Sequence, residues 1–195
     1  TYDPGGGDGD EAVANRRIAR KRLSSRLRPI LLRRVKKQVA KDLPDRIEQR
    51  HDCELSKDQR KLYLAELKRS REKVMETIQS KGVAKSRMQV LAALTRLRQI
   101  CCHPSLVGSD FLSGKTEALF DLLEPLVAQG EKVLVFSQLV QMLKILEKDC
   151  GTREIPTHML TGETKDRQGV VNAFQESEGA GVFLLSLRAA GTGLN

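Results

Sequence analysis

The chain has 195 residues, of which 39% are hydrophobic and 30% are charged, so it is long enough for one large domain or for one domain with an appendage. No apolar run approaches the roughly 18 residues that a membrane-spanning helix needs, and the first residues have neither the basic nor the apolar region of a secretory signal, so we expect neither a membrane protein nor a secreted one. The four cysteines form no C-x-x-C pair and favour a reducing, intracellular setting: the cytoplasm of a prokaryote or the nucleus of a eukaryote.

The net charge of +9 is concentrated in one segment. Residues 1–15 contain four acidic residues and no basic one, and their Gly- and Asp-rich start predicts a flexible segment. Residues 16–41 contain twelve Lys and Arg and no acidic residue. Such a run can follow a nucleic-acid backbone, where each phosphate contact adds to the salt dependence of binding. The alternative is a solvated helical face that anchors the chain elsewhere in a larger protein, and composition leaves both open.

The first predicted elements are a helix and an extended segment. Residues 12–41 have helical composition, with a break at Pro29, whose ring disfavours the interior of a helix. Leu43-Pro44-Asp45 is a second break. Residues 47–55 alternate in part between apolar and polar side chains, which is typical of an extended segment.

Two long helices are predicted between residues 56 and 104. Ser56 has the properties of an N-cap, and Gln59 three residues later completes a capping box. The first helix runs to Gly82, a residue type that commonly ends helices, and the second begins near Lys85. Its apolar stripe consists of Met88, Leu91, Leu94, Leu97 and Cys101, and it ends before Pro104. Because the connection is short, the two helices are expected to form an antiparallel hairpin.

After residue 108, helices and strands alternate. Strands are predicted at 132–136, 157–160 and 182–185, and helices at 116–128, 140–149 and 165–175. This alternation is typical of a parallel sheet with right-handed crossovers, and three strands are too few for a complete nucleotide-binding sheet. The last strand is a continuous apolar run, so we expect it to be buried on both faces. The polar, Gly-rich residues 186–195 follow at its carboxyl end, where open α/β sheets bind ligands.

Two short motifs resemble ligand sites and have a simpler explanation. Ser113-Gly-Lys-Thr116 matches the end of a phosphate-binding P-loop, but Ser109 stands where that motif needs its first Gly and no strand precedes it, so a helix start is favoured. Cys101-Cys-His103 has the residue types of a zinc site, but three adjacent residues cannot supply spaced ligand pairs. No metal ligand and no catalytic residue is predicted.

Six segments, in order, resemble conserved blocks of the Swi/Snf-type ATPases of helicase superfamily two. The helical part contains two of them: Leu31-Leu-Arg-Arg-Val-Lys36 with Asp42-Leu-Pro44, which is similar to the block joining the two lobes, and Leu97-Arg-Gln-Ile-Cys-Cys-His-Pro104, which is similar to Leu-Arg-x-x-Cys-x-His-Pro. The α/β part contains four: Ser113-Gly-Lys115 resembles the opening of the second RecA-like lobe, Val133-Leu-Val-Phe-Ser-Gln138 helicase motif IV, Leu160-Thr-Gly162 the motif that follows, and Leu185–Asn195 motif V.

The resemblance implies part of an ATP-driven double-stranded-DNA translocase or remodeller. It implies a flexible segment at 1–15, a basic inter-lobe linker at 16–55, a helical protrusion of the second lobe at 56–107, and the second RecA-like lobe at 108–195, truncated before motif VI. The expected fold class is α/β, a truncated RecA-like parallel sheet flanked by helices and preceded by a helical hairpin. ATP and Mg²⁺ are implied as cofactors of the parent protein. Double-stranded DNA, the missing first RecA-like lobe and a DNA-bound protein cargo are implied as partners, and no membrane is.

Two groups of site residues follow from the resemblance. Those implied to contact DNA phosphates are Ser137, Gln138, Thr161, Gly162, Ser186 and Arg188. Those implied to couple to the nucleotide are Gly191, Gly193 and Asn195. Small residues let phosphates approach the backbone closely without any reading of bases. A loop that contacts both DNA and nucleotide couples their states, as a motor requires.

The chain also departs from the family pattern. A P-loop, an acidic metal-binding box and motif VI are not found in the sequence, so we expect no ATP hydrolysis by this chain alone and no bound ATP or Mg²⁺. An alternative function therefore stays open: a non-catalytic DNA-binding or protein-interaction module that uses the basic residues 16–41 and the helical hairpin.

Overall fold

The computed structural model describes residues 10–31 and 47–191. The chain divides into two compact units, Thr1–Arg50 and His51–Asn195. In the first unit, helix α1 spans Asp10–Leu27 and a turn follows at residues 28–30, so the break predicted at Pro29 is confirmed. The rest of the predicted helix, residues 32–41, and the break at Leu43-Pro44-Asp45 lie outside the described residues.

Helix α1 has no apolar face. Every residue from 20 to 31 is exposed, and Ile18 is 51% exposed. A helix whose apolar side chains are not packed against other elements gains little from burial, so its stability comes from local helix propensity. No helix in the two described ranges is long and apolar enough to cross a bilayer.

The second unit begins with a helical hairpin. Residues 47–56 have no regular secondary structure, and the helical segment α2 then spans Lys57–Cys102 with an interruption at Gly82. The predicted capping box is confirmed, because the Ser56 hydroxyl accepts from the Gln59 N–H and the Gln59 side chain accepts from the Ser56 N–H. Gly82 has a φ of 77°, a left-handed conformation that glycine adopts without a steric cost. The predicted helix end is therefore found at this residue.

The two arms of α2, residues 57–81 and 83–102, run antiparallel as predicted. Near the open end of the hairpin, the side-chain amide of Gln59 donates to the Ile100 carbonyl over 2.7 Å. Further along, Arg96 and Glu66 form an ion pair of 3.2 Å. The apolar stripe of the second arm is buried only at its end: Leu97 is 8% exposed, whereas Met88 is 74% exposed.

A short connection joins the hairpin to the sheet. A 3₁₀ turn at Pro104–Val107 follows the second arm, and helix α3 spans Gly114–Ala128. The Ser113 hydroxyl accepts from the Thr116 N–H and donates to the Cys102 carbonyl over 2.9 Å. The helix start predicted for residues 113–116 is therefore confirmed, and the same hydroxyl ties the helix to the end of the hairpin.

Three parallel strands form the sheet, as predicted. They are β1 (Lys132–Ser137), β2 (Thr157–Leu160) and β3 (Gly181–Ser186), and the helices between and after them are α4 (Val140–Thr152), α5 (Arg167–Glu176) and α6 (Leu187–Ala190). The strand order in the described part of the chain is β1-β3-β2, which puts the last strand in the centre.

Helices cover the two faces of the sheet. On one face Val182 and Leu184 of β3 pack in a cluster with apolar side chains of α3 and α4. On the other face, Phe183 and Leu185 pack in a cluster with Phe174 of α5. Every residue of β3 is buried, which confirms the two-sided burial predicted from its apolar run. β1 is an edge strand whose alternate residues are exposed.

Candidate nucleic-acid interface

The carboxyl ends of the three strands lie side by side at one edge of the sheet. Ser137 at the end of β1 is the register partner of Ser186 at the end of β3. Leu160 at the end of β2 is the partner of Leu185, so Thr161 follows beside Ser186. The residues predicted from motifs IV and V and from the motif between them are thus neighbours. Parallel pairing brings them together, because all three strands end on the same side.

The hydroxyls at these strand ends shape the loops that follow. The Ser137 hydroxyl accepts from the Leu139 N–H over 3.1 Å and donates to the Leu139 carbonyl. The Thr161 hydroxyl accepts from the Glu163 N–H over 3.3 Å. These side-chain bonds replace the strand pairing that ends here, so each loop leaves its strand in a defined direction.

The loop predicted after β3 begins instead with a helical turn. Ser186 is 3% exposed, and its hydroxyl accepts from the Ala189 N–H as the N-cap of α6. Alanines favour a helix, and the first glycine comes only at Gly191, whose N–H donates to the Leu187 carbonyl. Arg188 lies on this turn and is exposed, as is Gly191. Gly193 and Asn195 lie outside the described residues.

An exposed hydrogen bond at this edge joins side chains from different elements. Gln138 and Gly162, which follow β1 and β2, are both exposed. Arg98, on the second arm of α2, donates from Nη2 to Oε1 of Gln138 over 2.8 Å. Arg98 was not predicted as a site residue, because this bond joins distant parts of the sequence. The only sequence signal for it was its position within the block from Leu97 to Pro104.

A cleft adjoins this pair. It has a volume of about 470 Å³ and lies between the second arm of α2, the start of α3 and the end of β1. Its wall includes the exposed ring of Phe136 and the Cys102 side chain, and Arg98 and Lys115 bring positive charge to it. The edge of the sheet therefore combines exposed amide and guanidinium donors with nearby cations, which suits an anionic ligand.

Residues 113–116 are not arranged as a phosphate-binding loop. The Gly114 N–H, which a P-loop would offer to phosphate, already donates to the side chain of Gln59, and the space beside the Gly114 Cα is filled by the Glu54 carbonyl. No group of three or more His, Cys, Asp or Glu that could hold a metal is found in residues 10–31 and 47–191.

The surroundings of the Cys101-Cys-His103 segment do not favour metal binding. Burial lowers the pKa of His103, and Asp149 opposes this shift. His103 Nδ1 accepts from the Ser105 N–H over 3.1 Å, which also requires the neutral ring. Burial raises the pKa of the Cys101 thiol, and Lys115 opposes that shift. The pKa of Cys150, in the core, is also raised by burial. A protonated thiol is a poor metal ligand and a poor nucleophile.

Comparison with known proteins identifies two matching families. The family described as "SNF2-related domain" matches residues 10–106, and the "Helicase conserved C-terminal domain" matches residues 114–195. Among curated proteins, the chain is 37% identical to the Saccharomyces cerevisiae nuclear protein STH1/NPS1 over 90% of the chain and 14% of that protein. It is 35% identical to the putative ATP-dependent helicase/translocase YwqA of Bacillus subtilis over 89% of the chain and 20% of that protein. The chain thus spans a fifth or less of these relatives.

Solved structures with a similar fold come from Sulfolobus solfataricus. The SWI2/SNF2 ATPase core in complex with dsDNA is 30% identical, with a TM-score of 0.65, over 87% of the chain and 37% of that structure. The C-terminal domain of a SWI2/SNF2 ATPase is 29% identical, with a TM-score of 0.60, over 73% of the chain and 64% of that structure.

Proposed function

Since the chain belongs to the Swi/Snf-type family of helicase-like ATPases, we propose that it serves an ATP-dependent translocase or remodeller as the part that contacts double-stranded DNA. Membership of this ATPase family implies that the parent protein uses ATP and Mg²⁺. The fold is the expected one, a parallel three-stranded sheet with a helical hairpin before it. We also propose a reducing, intracellular setting, in keeping with the free cysteines in the described residues.

One observation carries the proposal: the donors of three strand ends face one edge of the sheet. Gln138, Gly162 and Arg188 are exposed there, on loops whose directions are set by the hydroxyls of Ser137, Thr161 and Ser186. A carboxamide, a guanidinium group and a glycine backbone amide can each donate to phosphate oxygens, and such contacts carry no base specificity, as a protein that moves along DNA requires. A SWI2/SNF2 ATPase core of similar fold has been solved with dsDNA, which supports the same ligand here.

Coupling to the nucleotide is proposed for the residues after Arg188. Gly191 ends α6, and Gly193 and Asn195 follow it in the chain. A rigid turn that holds an arginine against DNA at one end and leads into nucleotide-facing residues at the other would make DNA binding depend on the nucleotide state. The first RecA-like lobe and a DNA-bound protein cargo are proposed as the other partners of the parent protein.

Replacing Arg188 with Gln should weaken duplex binding by the chain and lower its salt slope by about 0.9, the value for one phosphate contact. The measurement is fluorescence anisotropy with a labelled random-sequence duplex over a series of salt concentrations. Lys148→Gln is the matched control, because Lys148 is an exposed base near the other end of α4, away from the strand ends. An equal loss in both variants would contradict a site at this edge.

A second measurement tests the motor itself. In a Swi/Snf-type protein that carries this chain together with a P-loop lobe, duplex DNA should stimulate ATP hydrolysis, and Arg188→Gln should reduce that stimulation. ATP hydrolysis that does not respond to DNA would exclude the translocase. Retained DNA binding without DNA-stimulated hydrolysis would favour a non-catalytic binding module.

That second candidate function is favoured by one observation, the exposed basic residues of α1. The helix presents basic side chains on several sides, and Arg17, Arg20 and Lys21 are exposed. Changing Arg16, Arg17, Arg20 and Lys21 together to Gln should lower the salt slope of duplex binding by about 3.6 if each of these residues contacts a phosphate. The same anisotropy titration measures it, with Lys144→Gln/Lys148→Gln on α4 as the control. A salt slope that stays as in the unchanged chain would exclude α1 as the binding element.

A further inference from the structure

The hydrogen bond from Arg98 to Gln138 links the helical hairpin to the edge of the sheet. Its donor is Nη2 of Arg98, its acceptor is Oε1 of Gln138, and the distance is 2.8 Å. Gln138 directly follows β1 and is one of the residues proposed to contact phosphate. No phosphate contact has been proposed above for Arg98.

The backbones on both sides of this bond are held in place. Arg98 lies between Leu97, which is 8% exposed, and Ile100, which is fully buried and whose carbonyl accepts from the Gln59 side chain. Gln138 lies between Ser137 and Leu139, which are joined by the two bonds of the Ser137 hydroxyl. The two side chains are exposed, but the positions from which they extend are fixed.

The chemistry of the pair decides which way the carboxamide turns. A guanidinium group has donors and no acceptor, so only the oxygen of Gln138 can face Arg98. The amide nitrogen is on the other branch of the carboxamide and keeps its two N–H groups for another partner. Phosphate oxygens accept hydrogen bonds and do not donate them. Without Arg98 the carboxamide could present either its oxygen or its nitrogen to a phosphate, and only the nitrogen would bind.

We propose that Arg98 is a positioning residue: it turns the Gln138 carboxamide so that the amide N–H groups face a DNA phosphate at the edge of the sheet. This inference rests on the proposed DNA contact at that edge. It gives the hairpin a role in DNA binding, because a movement of the second arm would change the donor that β1 presents.

A double-mutant cycle tests the proposal. Gln138→Ala and Arg98→Met should each weaken duplex binding about fivefold, the effect of one hydrogen bond, and the double variant should bind no more weakly than Gln138→Ala alone. Arg96→Met is the matched control, since Arg96 lies on the same arm and pairs with Glu66 inside the hairpin. It should leave DNA binding unchanged. Additive losses, or a salt slope that falls by about 0.9 in Arg98→Met, would overturn positioning in favour of a direct phosphate contact.

An NMR measurement on the chain without DNA tests the positioning role of Arg98 separately from the proposed DNA contact. The side-chain amide signals of Gln138 in a ¹⁵N-correlated NMR spectrum should shift in Arg98→Met and not in Arg96→Met. Unchanged signals, with Arg188→Gln still reducing DNA binding, would overturn the role of Arg98 and leave the DNA site standing. A chain that binds no duplex at all would overturn both.

Discussion

Replacing Gln59 with Met should lower the free energy of unfolding of the second unit by about 4 kcal/mol. Gln59 is fully buried, and its side chain contacts three backbone groups. Nε2 donates to the Ile100 carbonyl over 2.7 Å, and Oε1 accepts from the N–H groups of Ser56 and Gly114 over 3.3 and 3.2 Å. Met has a similar volume and fills the space, but it leaves these groups without their partner, and each unpaired buried group costs about 1–3 kcal/mol.

Urea denaturation followed by far-UV circular dichroism measures this change. Gln79→Met is the matched control, because Gln79 is an exposed residue of the same arm, and we expect it to change the unfolding free energy by less than about 0.5 kcal/mol. Gln59→Glu should also destabilise the chain, because it replaces the donor to Ile100 with a second acceptor and buries a carboxyl group. A Gln59→Met chain as stable as Gln79→Met would show that the hydrogen bonds of Gln59 do not stabilise the open end of the hairpin.

Local patterns predicted most of the elements. The capping box at Ser56 and Gln59 needs only residues within one helical turn, and both of its bonds are found. The apolar run of β3 predicted burial on both faces, because successive side chains of a strand point to opposite faces of the sheet and all of those in the run are apolar. Every residue of β3 is indeed buried. Parallel pairing followed from the alternation of helices with strands.

Other features depend on which surfaces meet, and local patterns do not contain that information. Helical spacing placed Met88 and Leu97 on one stripe but did not reveal that only the end of the stripe packs against the rest of the second unit. β3 is the central strand because it pairs with both β1 and β2, which lie far from it in the sequence. The helical turn at Leu187–Ala190 was predicted as loop, because Gly191 and Gly193, which follow it, are typical of loops.

The candidate site also has one part that the sequence predicted and one part that depends on long-range packing. The strand-end residues could be predicted, since a parallel sheet brings all carboxyl ends to one edge, and Ser137, Thr161 and Ser186 are neighbours there. Their contact with DNA stays a prediction. The link from Arg98 to Gln138 required the packing of the hairpin against the sheet, and no spacing in the sequence encodes it.

Replacing Gly114 with Ala should destabilise the second unit by about 3 kcal/mol. A Cβ added at this position would overlap the backbone carbonyl oxygen of Glu54 and would lie 3.5 Å from the Ser56 nitrogen. Side chains relieve such an overlap by changing rotamer, but a backbone carbonyl moves only with its chain. Residues 54–56 lead into the capping box, so we expect the displacement to weaken the bond from the Gly114 N–H to Gln59 as well.

The matched control for this substitution is Gly151→Ala. Gly151 lies in the last turn of α4, and nothing lies within 4 Å of a Cβ added there. Ala is a better helix former than Gly, so this variant should be neutral or more stable by up to about 1 kcal/mol in the same urea titration. If Gly114→Ala behaved like Gly151→Ala, the contact between residues 54 and 114 would not constrain the fold. If it is as costly as expected, glycine at the start of α3 is explained by the close approach of two backbones, and no phosphate is needed to explain the Gly-Lys-Thr sequence.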